Sequence, residues 1–89
     1  MFDYTGQIVR AKAGRDQGGV FCVVGEDPAR QLLLLADGKR RRLSRPKGKK
    51  EKHLTVLDHR LPQRPQSDRV LRRALAAFKG GNHAWQKTI

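Results

Sequence analysis

Between Lys39 and Lys52 the chain places nine basic residues in fourteen: Lys39, Arg40, Arg41, Arg42, Arg45, Lys47, Lys49, Lys50 and Lys52. Cations at that density neutralise phosphates and release the counterions condensed around a polyanion, so the chemistry they suit is recognition of a nucleic-acid backbone. A second cluster lies in "KAGRDQGG", where Lys12 and Arg15 flank Gly14, Gly18 and Gly19 around Asp16. Glycine permits positive φ and the close approach of another backbone, and an aspartate accepts hydrogen bonds from turn amides. The segment therefore reads as a shaped loop whose amides and two cations can meet phosphate oxygens or a folded RNA surface. It is not the phosphate loop of a nucleotidase, because no Gly-Lys-Ser/Thr follows at the required spacing.

The charge is divided along the chain. Of the 89 residues, 1–38 carry four basic and five acidic side chains, net −1, whereas 39–89 carry sixteen and three, net +13. That asymmetry favours a polyanionic partner and argues against a large enzyme fold, which a chain of this size does not accommodate. His53, His59 and His83 lack cysteine partners and metal-ligand spacing, and no paired carboxylates or nucleophile–base set stands out. The expectation is a non-enzymatic protein with no cofactor, metal or small-molecule substrate. The single cysteine, Cys22, lies in "VFCVVG" and has no internal disulfide partner, so it reads as a small buried apolar residue in a reducing compartment. The N-terminus has no basic segment followed by an apolar region, and "LLLLA" is too short to span a bilayer. A cytoplasmic protein with no membrane partner is expected.

The elements that position these groups follow from pattern and punctuation. "GQIVRA" and "VFCVVG" are β-rich runs separated by the glycine loop and predict a hairpin. "EDPAR" interrupts with Pro28, "QLLLLA" resumes, and Asp37-Gly38 suits a two-residue hairpin turn that would pair "KRRRLS" with it. On that strand Arg40 and Arg42 would project opposite to Arg41. "HLTVLD" is a closing strand, and five short strands with no helix between them suit a small closed antiparallel barrel. "LPQRPQ" reads as a Pro-containing linker. In "SDRVLRRALAAFKGG" Ser67 is a good N-cap, Asp68 favours the positive end of the helix dipole and Gly80-Gly81 supplies a stop. Val70, Leu71, Ala74, Leu75, Ala77 and Phe78 share one arc of that helix, opposite Arg69, Arg72, Arg73 and Lys79. The division expected is a barrel over 1–58 with its basic loop at 39–52, a linker over 59–66, an amphipathic helix over 67–81 and a flexible tail over 82–89.

Gly6 to Val9, the Ala13-Gly14-Arg15-Asp16-Gln17-Gly18 turn and the β run to Val24 resemble the KOW motif of ribosomal proteins and transcription elongation factors. "ADGKRRRL" followed by Pro46, Lys47, Lys49, Lys50, Lys52, His53 and Leu54 resembles the small bacterial KOW-domain RNA-binding proteins, which are similar to a KOW-containing large-subunit ribosomal protein of archaea and eukaryotes. The resemblance covers Gly6 to about Leu57, and more weakly the helix. It implies a small SH3-like barrel, so that with the helix read above the expected fold is mainly β, an SH3-like antiparallel barrel of about five short strands followed by one C-terminal amphipathic α-helix. It further implies RNA contact through the loop from Gly14 to Gly18, with Asp16 inside it, and through the basic segment to His53. Two departures from the family pattern are Gln17, where a lysine is usual, and the arginine-rich "RRR"; the first leaves more of the affinity to residues 39–52.

The expected function is binding of structured ribosomal RNA of the large subunit, in translation or ribosome function. Structured RNA is favoured over a single strand because no interleaved aromatic platform is visible: Phe21 belongs to a strand and Tyr4 stands alone. Leu71, Leu75 and Phe78 are expected to cap the barrel. The alternatives are a protein-interaction module, in which the barrel or that helix face docks on a partner from the transcription or translation machinery, and a nonspecific binder of DNA, anionic membrane or other polyanions.

Overall fold

Residues 20–24, "VFCVV", are buried without exception, a pattern possible only for a strand covered on both faces. The computed structural model describes residues 4–79 and shows what covers them. The elements are β1 (Gln7–Ala11), β2 (Val20–Asp27), β3 (Leu32–Ala36), β4 (Lys47–Lys49), a 3₁₀ turn (Glu51–His53), β5 (Leu54–Arg60) and α1 (Asp68–Lys79). They form one antiparallel sheet in the order β4-β3-β2-β1-β5. This is the mainly β, five-stranded fold with one helix after the strands that the sequence predicts.

The two edge strands are neighbours in the chain. β4 ends at Lys49 and β5 begins at Leu54, whereas a flat sheet would hold edge strands roughly 19 Å apart. The short 3₁₀ link therefore goes with a curled, barrel-like sheet with a concave and a convex side. Side chains alternate between them: Val9, Ala11, Phe21, Val23, Leu33, Leu35 and Leu54 pack together on one side, and Ile8, Val20, Cys22, Val24 and Ala36 pack on the other. Leu71, Leu75 and Phe78 of α1 cover the second group. The run "LLLLA" is a strand in which Leu33 and Leu35 join the first cluster and Leu34 and Ala36 the second. Gln7 fills a register shift between β1 and β5, its Nε2 donating to the carbonyls of Leu57 at 2.7 Å and His59 at 2.9 Å.

Four expectations need correction. "KRRRLS" is not a strand. β3 pairs instead with the short "KGK" of β4, in the register Leu33↔Lys49, Leu34↔Gly48 and Leu35↔Lys47, and residues 37–46 form a loop. The physical reason is Asp37: its Oδ1 accepts the backbone N–H of Lys39 at 2.8 Å and of Arg41 at 2.9 Å. The Asp37 and Gly38 amides in turn donate to the Arg41 carbonyl. That closed turn takes the groups a ladder would need, and it removes the strand alternation expected for Arg40, Arg41 and Arg42.

β5 also runs two residues past the boundary expected at 58. The 59–66 segment is fastened rather than loose: Leu61 N donates to Gly6 O, Arg64 Nε donates to Val24 O at 3.3 Å, and Pro65 is buried. Finally, the buried arc of the helix is narrower than expected. Val70 and Ala77 are exposed, and Ser67 Oγ caps by accepting Val70 N–H at 3.2 Å. The helix stop at Gly80-Gly81 and the 82–89 tail lie outside the described residues.

Candidate nucleic-acid interface

The loop after β1 and the loop after β3 are one structure. Asp16, in the first, is buried, and both its carboxylate oxygens accept from Arg41 Nη2 in the second, at 3.1 and 3.3 Å. A second tie lies beside it, where Lys49 Nζ donates to the Ala13 carbonyl at 2.7 Å. Gly14 makes room for this lysine: it has φ +81°, and a Cβ there would stand 2.9 Å from Nζ. The 3₁₀ turn joins on the far side through Lys12 N–H, which donates to the His53 carbonyl at 2.8 Å.

These ties decide which of the sequence-predicted residues face solvent. Lys12, Gly14, Arg15 and Gly18 of the first loop are exposed, as are Lys39, Arg40, Arg42 and Arg45 of the second and Lys47, Lys50 and Lys52 beyond it. The cations of the two loops lie side by side, whereas Lys50 and Lys52 lie past β4, where with Glu51 they border Gln31 of the β2–β3 turn. Asp16 is buried and fastens the two loops through Arg41. Arg41 and Lys49 are half-buried with their heads engaged by Asp16 and Ala13, and His53 is half-buried with its carbonyl engaged by Lys12. The charge density of "KRRR" is thus divided: Lys39, Arg40 and Arg42 point outward and Arg41 holds the loop.

Four acids near these cations accept hydrogen bonds from other groups of the fold, although Glu51 stays exposed. Asp16 pairs with Arg41, Asp37 closes its own turn, Asp68 accepts Leu43 N–H at 2.8 Å, and Glu51 accepts the Tyr4 hydroxyl at 2.7 Å. That last bond to a carboxylate pushes the Tyr4 hydroxyl above its ordinary pKa. Glu26 and Asp27 lie at the end of β2 away from the two loops, roughly 20 Å along a strand of that length, and Glu26 is near enough to Tyr4 to add to that upward push. The exposed cations of the two loops thus lie beside acids that are paired or turned inward, which concentrates positive potential on the loops.

Three contributors were not singled out from the sequence as site residues. Asp37 could have been recognised, since an aspartate opening a turn readily takes its amides. Asp68 and Arg72, which reach Leu43 N and Gly38 O, join groups 25 and 34 residues apart and leave no local signal. Among the described residues no group of three or more His, Cys, Asp or Glu is placed to hold a metal, and no helix is long and apolar enough to cross a membrane. No protein-family model matches the chain, and comparison with curated proteins gives no match.

Proposed function

We propose that this chain is a non-enzymatic, cytoplasmic RNA-binding protein of the KOW type that binds structured ribosomal RNA and acts in translation. The observation that supports this most is the Asp16–Arg41 junction, which locks two loops side by side so that their cations form a single surface before any ligand arrives. A surface shaped in advance avoids the ordering cost that a flexible basic tail meets on binding, and it suits a partner whose backbone has a fixed shape. The KOW-like residues Gly14, Asp16 and Gly18 have a physical role in the same reading, since they build the loop that Arg41 and Lys49 grip.

The protein-partner alternative allowed either the barrel or the apolar arc of the helix to dock. Leu71, Leu75 and Phe78 are buried against the sheet, which leaves the barrel surface for that reading, and partner capture that survives ribonuclease treatment would favour it. The nonspecific-polyanion alternative is separated by experiment. Binding of a labelled ribosomal RNA stem–loop, a DNA duplex of equal length and acidic vesicles is measured by anisotropy or co-sedimentation across salt. The expected result is a preference for the RNA, with a logarithmic salt slope of about −3 to −5 if roughly five phosphates are neutralised. Equal affinity for all three sinks the proposal. In lysate, salt-sensitive comigration with the large subunit that ribonuclease abolishes identifies the RNA as ribosomal; sedimentation as a free small protein at low salt counts against a ribosomal target.

A further inference from the structure

The first half of α1 is joined to the basic loop. Asp68 Oδ1 accepts Leu43 N–H and Arg72 Nη1 donates to Gly38 O, each at 2.8 Å. Between these bonds the loop backbone rests on the helix at Gly38, where a Cβ would lie 2.5 Å from Asp68 O and 2.9 Å from Arg72 Cγ.

Arg72 is an exposed residue that engages the loop through a single N–H. A guanidinium carries five such donors in a rigid fork, so its remaining donors are held at the foot of the turn that carries Lys39 and Arg40. Moving outward around the helix, Arg69 lies roughly 60° beyond Arg72 and Arg73 roughly 100° beyond it. Both are exposed, and neither has an ion pair among the described residues. The helix's only acid, Asp68, is occupied by Leu43. Val70 and Ala74 turn to the opposite flank, where they line an apolar groove with Leu61, Pro62 and Pro65. Charge is therefore segregated to the outer face and the loop-facing side of α1.

Resting on the RNA-binding reading above, we infer that Arg69, Arg72 and Arg73 continue the phosphate-binding surface from the 37–46 loop across α1. The RNA backbone is then gripped at two places, loop and helix, whose separation is fixed by the Asp68 and Arg72 bonds. Arg72 both contacts phosphate and positions the loop; Arg69 and Arg73 only contact phosphate.

The test uses Arg69→Gln and Arg73→Gln, singly and together, because neither side chain supports the fold and glutamine is a good helix former. Arg30→Gln removes one exposed charge, 3.9 Å from Asp27, in the turn at the far end of β3 from the 37–46 loop, and serves as the control. Lys39→Gln/Arg40→Gln reports on the underlying RNA reading, and far-UV circular dichroism checks that α1 is intact. With a labelled RNA stem–loop, the Arg69/Arg73 double variant should bind roughly tenfold more weakly. Its salt slope should be flatter by about 0.7 for each phosphate that is no longer neutralised, with Arg30→Gln close to the parent. Equal weakening by Arg30→Gln and Arg69→Gln means that bulk charge alone acts, and it overturns the inference. Full binding by the double variant with weakened Lys39/Arg40 binding overturns it and leaves the RNA reading standing. Full binding by both overturns both.

Discussion

Arg41 and Asp16, twenty-five residues apart, meet across the gap between two loops with Nη2 within 3.3 Å of both carboxylate oxygens. The carboxylate side chain is 6% exposed and the guanidinium side chain 30%. Arg41 also closes the Asp37 turn through its own N–H and carbonyl, so one residue fastens its loop internally and to its neighbour. The fit is imperfect, since Arg41 Nε is buried with no hydrogen-bond partner among the described residues.

Asp16→Ala separates two explanations of RNA affinity by sign. It raises the formal net charge from +12 by one, so bulk electrostatics predicts tighter binding. Loss of the loop junction predicts weaker binding, and that is the expected result. Stability should fall by about 1–3 kcal/mol, because an arginine is left without its carboxylate. Anisotropy titration and urea denaturation of the same variant read the two effects, and tighter binding would show that the junction does not organise the surface.

Gly38→Ala should destabilise the fold. Its φ is +82° and the new Cβ would press on Asp68 O, so the loop must lift from the helix or the helix must shift. A loss of about 1–3 kcal/mol is expected, measured by the midpoint of denaturation. A loss below about 0.5 kcal/mol would mean that loop and helix are not in firm contact.

Lys49 and Lys50 are adjacent in sequence but not in role. Lys50→Gln removes an exposed charge and should weaken RNA binding while leaving stability within about 0.5 kcal/mol of the parent. Lys49→Gln loses the 2.7 Å bond to Ala13 O and should lower both affinity and thermal midpoint. Identical thermal midpoints for the two variants would contradict this division.

Burial pushes the Cys22 thiol up from 9.0 to about 11, against smaller opposing pulls from a Gly6 backbone hydrogen bond and from Arg64. Between those values the unfolded chain has released a proton that the native state retains, so the group's contribution to stability is whole below pH 9 and declines as pH rises towards 11. Cys22→Ala should be less stable throughout, because it leaves a small cavity, yet its stability should fall less steeply between pH 9 and 11. Denaturant midpoints at several pH values across that interval give both slopes; parallel slopes would rule out the shift.

Much of the fold was legible because it depends on neighbours in sequence. Glycines around Asp16 mark the first turn, Pro28 marks the second, and Ser67 begins the helix. What was not legible depends on distant partners. Counting cations in "KRRR" treats Arg41 like Arg40, and only the presence of Asp16 beside it distinguishes a fastener from an exposed contact. "KGK" has the composition of a loop and becomes a strand because the sheet curls and offers Leu33 to Leu35 as a partner. The Asp37-Gly38 pair signals a turn correctly, but the turn is closed by the aspartate side chain and pressed against a helix that begins thirty residues later.

The covering of β2 on both sides bears on how the chain is made. Synthesis delivers all five strands before α1, so a nascent chain that has emerged only as far as Arg60 can fill its concave side but leaves Ile8, Val20, Cys22 and Val24 without a lid. Such an intermediate carries a greasy outer wall into the crowded space beside the exit tunnel until Leu71, Leu75 and Phe78 arrive. The helix is thus the last closing part of the fold to appear, and a fragment cut after the strands is a sticky half-product rather than a smaller version of the domain.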